Sequence, residues 1–136
     1  MLKRTPIKIM LVLLLMVVIF HLFIITKIIP YDIVWGGQLK SDHEMYAFEV
    51  ISIFVNLILV FVLLIKGGFV KSYLRKGVVN VILWIFLILF ILNTIGNFFA
   101  KTDFEKFFAI VTMIFALLIG IILKNKSSND NLKLHN

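Results

Sequence analysis

The chain has 136 residues, 62% of them hydrophobic and 15% charged, with a formal net charge of +7 and no cysteine. A soluble domain is near half apolar and a quarter charged, so a mean hydropathy of +1.09 points to a membrane protein. Disulfides, cysteine-ligated zinc and thiol nucleophiles are excluded; nucleic acid is disfavoured as a partner because the cations sit in short segments between apolar runs.

The first apolar run, at 9–25, follows "MLKRTPIK". It is longer than the core of a signal peptide and no small-x-small cleavage pattern follows, so it reads as a retained helix that directs insertion. This helix is expected over about 9–29, ended by Pro30. Its one polar interior residue is His21.

The segment 27–46, "KIIPYDIVWGGQLKSDHEMY", exceeds the 2–8 residues of an ordinary helical hairpin. It predicts a structured outer loop of about 18–20 residues, with a turn at Gly36 and Gly37. Tyr31, Trp35 and Tyr46 carry rings suited to the membrane interface, and the loop is either a lid or an anchor there. "SDHE" caps the next helix, through Ser41 or Asp42.

That helix, expected at 45–65, contains Glu49. A charge at bilayer depth is costly and by default functional. At 100° per residue Glu49, Ser52 and Asn56 share an arc of about 60°, so the carboxylate belongs to a polar stripe that faces other helices. The connection "KGGFVKSYLRKG" follows. Its Lys66, Lys71, Arg75 and Lys76 suit anionic lipid headgroups.

The third helix, expected at 78–99, places Asn93 and Asn97 one turn apart on one face. The fourth, expected at 105–123, has Ala109, Thr112, Ala116 and Gly120 within about 80° of arc, a small-residue surface suited to close helix packing. The chain then ends in a polar tail, 125–136, expected to be disordered. The fold class is therefore all-α: one transmembrane domain, 1–124, of four helices.

Ten basic residues fall on one side of such a bundle (Lys3, Arg4, Lys8, Lys66, Lys71, Arg75, Lys76, Lys124, Lys126, Lys133) and four on the other (Lys27, Lys40, Lys101, Lys106). The excess predicts that both termini are cytoplasmic, in a bacterial cytoplasmic (inner) membrane. His21, Glu49, Ser52, Asn93, Asn97 and Thr112 then lie at similar depth in the outer leaflet. Two readings follow. In the first, this layer, with Asn56 beneath it, binds or transports a small solute, a cation or a proton. In the second, the layer only staples helices, and the chain is a non-catalytic accessory protein. Its helix faces would then hold another membrane protein or a second copy in a homo-oligomer.

No metal site, cofactor or catalytic nucleophile is implied. Length and helix count resemble the small multidrug transporters, whose first helix carries a mid-membrane carboxylate. Here that helix has only apolar residues and His21, so no family is assigned.

Overall fold

A computed structural model describes residues 4–133, with side chains described as far as Asn125. Its regular elements are α1 (Arg4–Ile25), α2 (Asp42–Lys66), α3 (Lys76–Phe98) and α4 (Asp103–Lys133), with two short 3-10 turns (Tyr31–Ile33 and Trp35–Gly37) between α1 and α2. Each of the four helices is long and apolar enough to cross a membrane, as the sequence predicts. Only 22–28% of the most apolar window of each is buried within the molecule. The rest is an apolar exterior, as at Leu15, Phe54, Leu92 and Leu117, of a size that water does not tolerate on a monomer.

Helix ends differ from expectation where capping decides them. α1 is already helical at Arg4, the first described residue, and not first at residue 9; Pro6 is tolerated near this end, where a missing N–H leaves no bond unmade. The helix also ends at Ile25, well before Pro30. Lys27 takes a left-handed backbone (φ 59°), and the Ile28 and Lys27 N–H groups donate to the Phe23 and Ile24 carbonyls at 2.9 Å each. That bond pair is a Schellman cap, formed here without glycine. The same cap closes α2, with Gly68 as the left-handed residue.

At the start of α2, Ser41 is the residue that caps, its hydroxyl accepting the Glu44 N–H at 3.2 Å. Asp42 instead pairs with Lys27 at 2.5 Å. This hydrogen bond is the main cause holding the Lys27 ammonium above its ordinary value. α4 is continuous to Lys133; the tail expected to be disordered falls largely on residues outside those whose side chains are described.

The helices form a ring in which α1 packs mainly on α2 and α3 mainly on α4, with slighter contacts closing α2 on α3 and α1 on α4. The core is in two parts. The larger lies toward the end that holds the chain termini and draws on all four helices, with Met10, Leu63, Leu83 and Ile119 at its centre. The smaller lies at the loop end and joins Ile24, Val34 and Met45, with Phe20, Tyr31 and Phe104 packed around them. α3 supplies nothing to this second core.

Ala109 is buried and Ala116 half-buried, but Gly120 is not at a close helix contact. A Cβ there would meet no atom within 4 Å. Phe115, Ile119 and Ile122 fill the inward arc of α4, and at 100° per residue Gly120 falls at its edge.

Candidate functional site

Glu49 is wholly buried, 0% exposed. The start of α2 at Asp42 puts it about 10 Å along the helix from the loop end, and His21 lies about 6 Å from the same end of α1. Their depths match closely enough for the side chains to meet. His21 Nδ1 and Glu49 Oε2 are 2.5 Å apart, within hydrogen-bond distance. The other carboxylate oxygen, Oε1, accepts the Trp35 indole N–H at 2.7 Å. Burying a carboxyl group without partners is costly; here both oxygens are bonded, and among the described residues no buried side-chain N or O lacks a partner.

Trp35 reaches Glu49 because the loop folds back across the bundle. Trp35, Gly36 and Gly37 run consecutively through the left-handed region, at φ 55°, 68° and 65°. A Cβ on Gly37 would come within 3.2 Å of the Asp32 carbonyl oxygen, so that position requires glycine. The Trp35 ring covers Phe48, their centroids 5.0 Å apart.

The next residue is held from the opposite helix. The Gly36 N–H donates to Glu105 Oε1, and Glu105 is itself only 7% exposed. Its second oxygen accepts the Thr102 hydroxyl at 2.7 Å, while Thr102 Oγ1 accepts the Glu105 N–H at 3.2 Å and so caps α4. Two buried carboxylates, one on α2 and one on α4, therefore grip adjacent residues of one loop. The loop is a strap over the Glu49/His21 pair.

The wider polar layer does not assemble. Ser52 Oγ donates to the Phe48 carbonyl and Asn56 Nδ2 to the Ser52 carbonyl, both within α2. Thr112 also bonds backward within its own helix, to Phe108, and accepts a hydrogen bond from the Thr94 hydroxyl at 2.9 Å. Asn93 is exposed and Asn97 half-buried, and neither side chain meets Glu49. Of the three aromatic loop residues, Tyr31 packs in the second core, Trp35 caps Glu49, and Tyr46 stays exposed.

Sequence reasoning missed Glu105, Thr102 and Thr94. "TDFE" before an apolar run is a capping-box signature, so the cap was readable. Nothing local links Glu105 to Gly36, 69 residues away in the chain.

At the termini end, Lys66 Nζ donates to Asn80 Oδ1 at 2.5 Å, joining α2 to α3. The Arg4 guanidinium lies over the Phe69 ring, 5.2 Å from its centroid. Beyond them Tyr73 is fully exposed beside Lys71, Arg75 and Lys76.

Chemically, the Glu49/His21 pair joins a carboxyl group to an imidazole, two side-chain types used in acid–base chemistry. Among the described residues no three His, Asp or Glu side chains gather as metal ligands would. No family model, curated protein or solved structure matches the chain.

Proposed function

We propose that the chain is an integral membrane protein with both termini cytoplasmic, in a bacterial inner membrane. The buried Glu49/His21 pair is its proton- or cation-binding site, beneath a strap that controls access from outside. Four apolar spans and the ten-to-four excess of cations at the termini end support the placement. The exposed Tyr73, with Lys71, Arg75 and Lys76 around it, suits a headgroup layer rich in anionic lipid. Because the chain has no cysteine, orientation is directly testable. Single cysteines at Gln38 and Ser72 are expected to label from opposite faces of intact cells or spheroplasts, Gln38 from outside. Labelling of both from one face would end this topology.

One observation carries the functional reading: a wholly buried carboxylate whose partners are an imidazole and the indole of a loop laid over it. A mere staple needs no ionisable group, since glutamine makes the same hydrogen bonds without risk of burying a charge. Glu105 grips the next residue of the strap, Gly36, and the Lys27/Asp42 pair ties the segment after α1 to the start of α2.

The test uses the tryptophans. The sequence holds two, so in Trp84→Phe the fluorescence reports Trp35 alone. A pH titration in liposomes is expected to show a transition in Trp35 emission and, with a proton gradient, uptake read by an internal dye. Glu49→Gln is expected to fold and to lose both. Persistence of both in Glu49→Gln would remove the proton-site reading.

The accessory reading has its own supporting observation. Ser52 and Asn56 are spent on their own helix and Thr112 staples α4 to Thr94 of α3, while Asn93 is turned outward.

A further inference from the structure

The loop-end third of α3 is left out of the second core, and its side chains say what should cover it. Asn93, Gly96 and Asn97 fall within about 100° of arc. Leu92 with Gly96, and Asn93 with Asn97, make two adjacent rows at i,i+4 spacing. Leu92 is 62% exposed, Asn93 and Gly96 are exposed and Asn97 is half-buried. A Cβ at Gly96 would meet nothing within 4 Å. Among the described residues the side-chain amides of Asn93 and Asn97 have no hydrogen-bond partner.

We propose that this face of α3 is a homodimer interface, in which a second copy of the chain crosses at Gly96 and pairs its Asn93 and Asn97 with those of the first. The inference rests on the membrane placement proposed above. Asn93 lies about 8 Å inside the end of α3, a depth at which lipid offers an amide neither donor nor acceptor. A carboxamide has both, so it is its own complement. A two-fold axis along the membrane normal brings the two Asn93 residues together at equal depth, whatever that depth is. Gly96 removes the side chain that would hold the backbones apart, and rows at i,i+4 spacing interlock in a close crossing. A partner bearing only apolar side chains would leave the amides unpaired.

The experiment uses the full-length chain in native membranes. Oxidation of Gly96→Cys is expected to yield a disulfide-linked species of twice the 15.7 kDa chain mass. Leu117→Cys, equally open but on α4, is expected to yield none. In bilayers of defined protein-to-lipid ratio, followed by single-molecule photobleaching, Asn93→Leu is expected to weaken dimerisation roughly 5- to 30-fold, the range of an interhelical amide bond in lipid.

Equal crosslinking at both positions, an undiminished dimer in Asn93→Leu, or monomers at every ratio would overturn the proposal. So would a Gly96→Cys crosslink to a different protein. A carbonate wash of the membranes keeps the two claims separate: release of the chain into the soluble fraction would sink the membrane placement itself, whatever the crosslinks show.

Discussion

His21→Leu is expected to destabilise the folded chain by about 1–3 kcal/mol, the cost of leaving a buried acceptor without a partner. The substitution costs little in packing, because leucine fills much of the imidazole's space. The loss comes from Glu49. That residue is wholly buried on α2, and without His21 its Oε2 has no partner while Oε1 remains bonded to Trp35.

A second substitution separates this cause from a packing defect. Glu49→Gln alone keeps an acceptor for the indole N–H and removes the charge, so it is expected to cost less than His21→Leu. The double variant His21→Leu with Glu49→Gln is expected to recover part of the loss, since no buried carboxyl group is left without its partner. Reversible unfolding in mixed micelles gives the three values. If the two single losses simply add, the residues are energetically independent, and the pair is an accident of proximity.

Trp35→Phe is expected to release the strap while leaving the bundle folded. Phenylalanine retains most of the ring that covers Phe48 but has no N–H for Glu49 Oε1. An unsatisfied buried acceptor costs about 1–3 kcal/mol, and more when charged. What weakens the strap is its own backbone. Trp35 already holds a left-handed backbone that a bulky residue disfavours, a strain of order 1–3 kcal/mol sustained only by surrounding contacts.

Beyond Trp35 the strap is held by Glu105 on the Gly36 N–H, by the Thr102 hydroxyl on the Ile33 carbonyl and by Val34 in the second core; Trp35→Phe with Glu105→Gln is expected to open it further than either alone. Hydrogen exchange provides the measurement. Amides at 33–38 should exchange faster by at least tenfold, while those around Leu63, Leu83 and Ile119 in the larger core keep their protection. Faster exchange throughout would mean that the strap is part of the global fold and cannot act as a gate.

The helices were legible because they depend on local properties. An apolar run of about 20 residues would have no other way to satisfy its backbone in lipid, so four helices long and apolar enough to cross a membrane follow from composition and length alone. The polar stripe on α2 followed from helical period, and the matching depths of His21 and Glu49 followed from counting residues.

The same period puts Asn93 and Asn97 on one face of α3. A period states which residues share a face, but the neighbour that the face meets is set by how the ring of helices closes. Closure put Thr94 of α3 against Thr112 of α4 and left Asn93 outside. The strap was the least legible element. Gly36 and Gly37 announce a turn, but where the turn lands depends on two carboxylates that arrive from α2 and α4. The bond from Gly36 to Glu105 spans 69 residues of chain, and a contact of that separation is decided only when the bundle brings both helix ends together. Sequence determined the elements and the depth of each polar group; packing decided which of those groups would meet.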